Sequence, residues 1–260
     1  MDNFAEEREK IITEYLNENG RATVSELVKL LGVSSSTVRL QLQDMHDRHL
    51  LLRTHGGAVK MDLPGNITKT NQDLYTNIPN YTLKNEVAEI AATLIQDGDL
   101  ISIGSGSTAF LLATKLHGKK NLTVATNSIL AAYELMSDRD INVNICGGNI
   151  LTRNGSCNGP FAEWYLNDIQ VDKSFCGTDS VSMEKGFISL DSDPRSERAL
   201  CLCGNTRYML ADTTKFKNRP FIEKIVGFDE IDYIISNSSL DIEYRKELSK
   251  KNVSLITELT

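Results

Sequence analysis

In the first sixty residues the apolar positions recur at helical spacing in three separate blocks. Ile11, Ile12, Tyr15 and Leu16 mark one face of a helix over 4–19, which Asn19-Gly20 closes. Leu27, Leu30 and Leu31 mark a second, short helix; Thr23 with Glu26 three residues on supplies a capping box at its start, and Gly32 stops it. In the third block Val38, Leu42 and Met45 fall at i, i+4 and i+7, behind the hydroxyl run Ser34-Ser35-Ser36-Thr37, which offers several N-caps. The first helix is expected to pack behind the third. Leu50-Leu51-Leu52-Arg53-Thr54 and His55-Gly56-Gly57-Ala58-Val59 then predict a two-stranded ribbon turning on glycine. Over 60–79 the period lapses into polar, turn-forming residues, and the stretch reads as a linker.

From Tyr81 a different rhythm sets in. Val87, Ile90, Ala91 and Leu94 mark a helix, Asp97-Gly98-Asp99 a turn, and the apolar run 100–103 a buried strand. Further short apolar runs at 122–125, 141–146, 171–176, 208–211, 222–226, 233–236 and 253–257 predict strands. Helical stretches at 129–136, 159–167, 194–203 and 240–250 fall between them, and Trp164, beside Phe161 and Tyr165, is expected to pack with its helix. Strand and helix in alternation predict an α/β domain with a parallel sheet. The chain is therefore expected to hold a small domain over 1–59, a linker over 60–79 and a larger domain over 80–260, and its 260 residues at 40% apolar content suffice for two cores.

Two short helices around a glycine turn, followed by a ribbon, predict a winged helix-turn-helix. The face of the third helix opposite its apolar stripe carries Ser36, Arg39, Leu40 and Gln43. Arginine forks onto guanine, glutamine onto adenine, and the hydroxyls of Ser34, Ser35, Ser36 and Thr37 hold phosphates; Arg53 and His55 on the ribbon add backbone contacts. The same face also fits plain solvated surface. Charge bears on the choice: the net −7 excludes a general basic coat, yet 1–33 carries four basic and seven acidic residues whereas 34–60 carries four basic and two acidic. Positive charge is concentrated on the expected nucleic-acid face.

In the larger domain the strand at 100–103 runs into Gly104-Ser105-Gly106-Ser107-Thr108 and then a helix. That arrangement presents free N–H groups and a positive helix end to a phosphate or carboxylate, although a glycine-rich turn can equally be structural. Thr126-Asn127-Ser128 and Gly147-Gly148-Asn149 close the next two strands, and Lys215 follows another in Asp212-Thr213-Thr214-Lys215-Phe216. Such strand ends are expected to converge at the carboxyl edge of the sheet, where ligands bind. Neither a dinucleotide fingerprint nor a Walker lysine is present. The five cysteines form no metal-ligand or disulfide spacing, so no metal and no cofactor is expected, and with no apolar run of spanning length and no basic leader a cytoplasmic protein with no membrane contact is expected.

The glycine turn, Thr37-Val38-Arg39 and the ribbon with Arg53, His55, Gly56, Gly57 and Ala58 resemble the DeoR-type bacterial repressors of sugar catabolism. GSGST at 104–108, TNS at 126–128, the paired glycines 147 and 148, DKSFCGTD at 172–179 with Gly186-Phe187, and DTTKF at 212–216 match the sensor domain of that family in order, so the resemblance spans nearly the whole chain. The sensor domain is similar in fold to ribose-5-phosphate isomerase and the CoA transferases. The resemblance implies a repressor that binds double-stranded operator DNA, and because one short recognition helix reads few base pairs, a homodimer or homotetramer assembled through the larger domains is expected. It also implies that a phosphorylated sugar, held by Gly104, Ser105, Gly106, Ser107, Thr108, Asn127, Gly147, Gly148 and Lys215, releases the protein from its operator. Leu40 and Gln41 stand where the family usually has an arginine and an acid, His49 where it tends to have glycine, and Glu197-Arg198 where it often has Lys-Arg. The alternative is a sugar-phosphate isomerase or deaminase with a DNA-binding arm. Isomerisation needs a carboxylate base at the substrate carbon, and the strand end at 176–179 supplies one acid where the isomerase has several.

Overall fold

The computed structural model describes residues 3–47, 51–54, 56–60, 78–152, 154–190, 194–216 and 223–259. His49, Leu50, His55 and linker residues 61–77, all of which carry expectations from the sequence, lie outside them. The chain divides into two compact units, Met1–Leu63 and Pro64–Thr260.

The first unit holds α1 (Asn3–Asn19), β1 (Arg21–Thr23), α2 (Val24–Leu31), α3 (Ser35–Asp47), β2 (Leu51–Thr54) and β3 (Gly57–Lys60). The capping box at the start of α2 forms as the sequence predicts: Thr23 Oγ1 accepts from Glu26 N–H at 3.2 Å, and Glu26 Oε2 accepts from Thr23 N–H at 2.7 Å. Gly32 then ends the helix at φ +65, a left-handed turn that glycine adopts without strain. Ile12 and Leu16 of α1 are buried with Leu27, Val38, Leu42 and Met45, so α1 does pack behind α3. Strand β1 is a correction. Arg21-Ala22-Thr23 is too short to show a period in sequence, yet it pairs antiparallel with β3 and makes the expected two-stranded ribbon a three-stranded sheet in the order β1-β3-β2.

In the second unit, α4 (Tyr81–Thr93) leads into β4 (Leu100–Ile103), α5 (Ser107–Thr114), β5 (Leu122–Thr126), α6 (Ile129–Leu135) and β6 (Ile141–Ile145). The hairpin β7 (Asn149–Leu151) and β8 (Ser156–Asn158), α7 (Pro160–Asp168) and β9 (Val171–Gly177) follow. Next come β10 (Ser180–Ser182), β11 (Gly186–Ser189), α8 (Arg195–Leu202), β12 (Gly204–Leu210), β13 (Glu223–Val226), β14 (Tyr233–Ile235), α9 (Ile242–Leu248) and β15 (Ser254–Ile256). Among the described residues seven strands form one sheet, all parallel, in the order β15-β14-β12-β9-β4-β5-β6.

Alternate residues of the central strands feed two separate cores, as the two-residue period of a strand requires. Phe175, Tyr208, Leu210 and Ile235 join Val87, Leu111, Leu112 and Leu135 from α4, α5 and α6 on one face. Cys176, Met209 and Ile234 join Ala162, Leu166, Leu200 and Leu248 from α7, α8 and α9 on the other. Each fully buried Leu, Ile or Phe contributes about 1.5–3 kcal/mol, so both faces carry substantial stabilisation. The strand expected at 222–226 does not enter this sheet: β13 pairs antiparallel with β11 in the small sheet β10-β11-β13.

The chain lays down β4, β5 and β6 outward in one direction, then returns to place β9 on the other side of β4 and continues outward through β12, β14 and β15. The reversal leaves a topological switch point between β4 and β9. Helices and loops leave the carboxyl ends of these two strands in opposite directions, and the gap between them is where ligands bind in open α/β sheets.

Candidate functional site

At the start of α3, the Ser34 hydroxyl accepts from the Thr37 N–H at 3.2 Å and lies 2.7 and 2.9 Å from the hydroxyls of Ser36 and Thr37. Hydroxyls and open N–H groups are thereby gathered at a helix N-terminus, which attracts phosphate. Val38, Leu42 and Met45 are fully buried, leaving Ser35, Ser36, Arg39 and Leu40 exposed on the opposite side, Leu40 at 74%. Gln41 is buried, so of the two neighbouring departures from the family pattern only Leu40 faces outward. On β2, Arg53 donates through Nη1 to Gln43 Oε1 at 2.5 Å. Sequence reading takes these two as separate contacts; the structure couples them and ties the ribbon to the exposed face of α3.

A cavity of about 350 Å³ opens at the switch point between β4 and β9. Gly104, Ser105, Gly106, Ser107 and Thr108 form one wall, and the first turn of α5 ends on it. The N–H groups of that turn have no carbonyl of their own helix to bond, and Gly106, the N-cap at φ +101, brings no side chain to cover them. Asn127, at the end of β5, also lines the cavity. It is fully buried, and neither its Nδ2 nor its Oδ1 has a hydrogen-bond partner among the described residues. An amide buried with both ends unpaired costs roughly 1–3 kcal/mol per group, an expense that a polar ligand would relieve. Lys215 reaches the same space from the 3₁₀ turn Thr213–Lys215, which Asp212 caps by accepting from Thr214 N–H at 2.9 Å.

Seven of the nine expected effector residues are thus brought together; Gly147 and Gly148 are not. They follow β6, the edge strand, two strands from β4, and do not line the cavity. At Gly148, φ is +108 and a Cβ would meet the Asn158 carbonyl oxygen at 2.6 Å, so glycine there serves the close approach of β8. Asn154, Asp179 and Glu197 line the cavity without having been assigned to it from the sequence. The Asp179 carboxylate accepts from Leu190 N–H at 2.9 Å, which holds the loop after β9 against the cavity. Cys176 also faces the cavity, but burial, with Cys201 and Cys203 nearby, pushes its thiol well up from the ordinary range and keeps it neutral.

Sequence reading also passed over Lys84. It sits on the buried side of α4, three and seven residues before Val87 and Ala91, a spacing that signals burial of a charged group. Its ammonium donates to the Pro79 carbonyl at 2.5 Å. Burial lowers its pKa, the Asp212 carboxylate opposes that shift, and Lys215 adds to it. Asp212, fully buried, keeps Oδ2 without a hydrogen-bond partner among the described residues. Trp164 and Phe161 depart from expectation as well, being 70% and 76% exposed on α7.

A winged helix-turn-helix joined in one chain to an α/β unit with a cavity at its switch point defines the class of DNA-binding regulators with a sensor domain. The chain belongs to the DeoR family of transcriptional regulators: residues 8–62 match the DeoR-like helix-turn-helix domain and residues 79–238 the DeoR C terminal sensor domain. It is 28% identical to the HTH-type transcriptional regulator GlpR of Haloferax volcanii, covering 96% of each chain. It is 30% identical to the HTH-type transcriptional regulator GolR of Listeria innocua, covering 95% of each. Among solved structures, ribose 5-phosphate isomerase A of Methanocaldococcus jannaschii matches at 23% identity and a TM-score of 0.40 over 54% of this chain and 56% of that one. Among the described residues no helix is long and apolar enough to cross a membrane.

Proposed function

We propose that the protein is a cytoplasmic repressor of a sugar or sugar-derivative catabolic operon, and that a phosphorylated sugar bound in the cavity releases it from its operator. The observation that carries the reading is the cavity wall, where the open N-terminus of α5, the ammonium of Lys215 and the unpaired amide of Asn127 meet. Helix end and ammonium suit a phosphate, and the amide suits a sugar hydroxyl. Residues 1–59 serve as the DNA-binding domain, 60–79 as linker and 80–260 as sensor. A short recognition helix reads few base pairs, so the working form is a homodimer or homotetramer on paired half-sites. A thermal-shift screen of sugar phosphates, repeated with DNA from upstream of the protein's own gene, tests the proposal. Stabilisation by a sugar phosphate together with loss of operator binding is expected; stabilisation by none would overturn it.

The isomerase reading gains one point from the structure, since two carboxylates, Asp179 and Glu197, share the cavity. Conversion of a bound sugar phosphate, followed by NMR, is the result that would establish it.

A further inference from the structure

Phe161 and Trp164 stand three residues apart on α7, which makes them neighbours on one helix face, and both rings are largely exposed, at 76% and 70%. Glu163, between them in sequence, is drawn to Arg195 of α8 at 3.5 Å. Their surroundings are short of charge. From Ile141 to Ala162 the chain carries a single charged residue, Arg153, against 24% over its whole length. That stretch spans β6, the hairpin β7-β8 and the start of α7, and Ile145 and Ile150 within it are exposed as well. These elements adjoin: β8 runs directly into α7, and a Cβ on Gly148, just after β6, would stand 3.4 Å from the Ala162 Cβ. Strand β6 is also an edge of the seven-stranded sheet, paired with β5 alone among the described residues. Exposed edges are ordinarily blunted by charge, proline or a bulge. Ile141–Ile145 contains neither charge nor proline, and its register with β5 runs without a shift.

We propose that this face of the second unit is where two copies of the chain meet, with Phe161 and Trp164 as its anchors. The inference rests on the reading of the working form as a homo-oligomer and names the surface that assembles it. A two-fold axis sets such a patch against its own copy, so like charges would repel across it; a strip poor in charge with aromatic anchors suits that symmetry. Area supports the same occupant. At their exposure the two rings offer roughly 300 Å² per copy, over a third of the ~800 Å² per partner that a stable interface buries, before the β6 edge and the two isoleucines are added.

Sedimentation velocity of the full chain over a dilution series, read together with intrinsic fluorescence, tests the surface, because Trp164 is the chain's sole tryptophan. Self-association is expected, with Trp164 emission shifted to the blue and shielded from acrylamide, and both should revert as dilution releases monomer. Phe161→Glu keeps the tryptophan as reporter and puts a charge beside it, and Asn142→Lys puts one at an exposed position of the edge strand. Each is expected to raise the Kd of the pair about tenfold or more with the far-UV circular dichroism unchanged, since both side chains are exposed in the single chain. An assembly that survives either substitution, or whose Trp164 emission stays that of an exposed indole, overturns the surface and leaves the homo-oligomer reading standing. Blue emission that persists in the dissociated monomer overturns it too, by showing that a segment of the same chain covers the rings. A chain that stays monomeric at every concentration, with and without DNA from upstream of its own gene, sinks both.

Discussion

Arg39 is exposed on α3 with Val38 and Leu42 fully buried behind it, so its side chain is not part of what holds the unit together. Arg39→Ala is therefore expected to weaken operator binding by about 1–3 kcal/mol and to leave thermal unfolding unchanged. Titration of labelled operator measures the first and a melting curve the second; equal operator affinity in wild type and variant would remove Arg39 from the interface. A second single-residue effect concerns pH. The Glu230 carboxylate is held below its ordinary value of 4.5 chiefly by its hydrogen bond to Arg198, with the Gly227 N–H at 2.8 Å also lowering it and burial opposing. A carboxylate with a lowered folded pKa stabilises the fold above its unfolded value, and the contribution is lost as pH falls through the folded value. Glu230→Gln should thus cost about 1 kcal/mol at neutral pH, discounted because the Arg198 side chain is 40% exposed. Below pH 4.5 the difference from wild type should close. Urea denaturation at a series of pH values would show it, and a difference that persists unchanged into acid would contradict the assignment.

Among the elements, two glycines that look alike in sequence do different work. Gly106 has open space where a Cβ would stand and borders the cavity, whereas a Cβ on Gly148 would press on the Asn158 carbonyl oxygen. Gly106→Val is expected to abolish the response to the sugar phosphate while operator binding persists. Gly148→Ala is expected to lower stability by about 1–3 kcal/mol without changing ligand affinity, the usual cost of forcing volume into packed structure. Calorimetric titration and denaturation of both variants decide it: loss of ligand affinity in Gly148→Ala would return that glycine to the site. The same pair shows what the sequence makes legible. Strand followed by Gly-Ser-Gly-Ser-Thr and a helix carries its own local signal, and the structure places those residues on the cavity. Gly147-Gly148 carries an equally good local signal, but its strand lies at the sheet edge, and strand order is a long-range property that no local pattern encodes. Short elements without an apolar run fail for a related reason: β1, β7, β8 and β10 span three residues each, fewer than two repeats of the strand period, whereas the equally short β14 and β15 lie in apolar runs that the sequence shows. Asp179 and Glu197 reach the cavity only because β9 returns to the far side of β4. The buried Lys84 was within reach of sequence reading, since its spacing from Val87 and Ala91 lies in the chain itself.

For the whole molecule, the two functions share one free-energy cycle. If a sugar phosphate binds free protein and operator-bound protein with different affinity, linkage makes the effect reciprocal: a ligand that lowers operator affinity by some factor must itself bind more weakly, by the same factor, when operator is present. That factor is expected to fall at about 5–150-fold, or roughly 1–3 kcal/mol of coupling. Release is the sign proposed here, so saturating operator should raise the apparent Kd for the ligand, and saturating ligand should raise the Kd for operator equally. Lys215→Ala tests where the ligand end of the cycle lies. The side chain lines the cavity and is remote in sequence from α3, so the variant should bind operator as wild type does, with operator affinity unmoved by ligand at the wild-type effective concentration. Four titrations close the cycle: ligand with and without operator, and operator with and without ligand. If Lys215→Ala still releases operator at that concentration, the anion does not sit where the α5 N-terminus and Lys215 converge. If the two coupling factors measured on wild type differ, ligand and operator are not exchanging within a single equilibrium, and a change in subunit assembly must enter the cycle before the coupling is assigned.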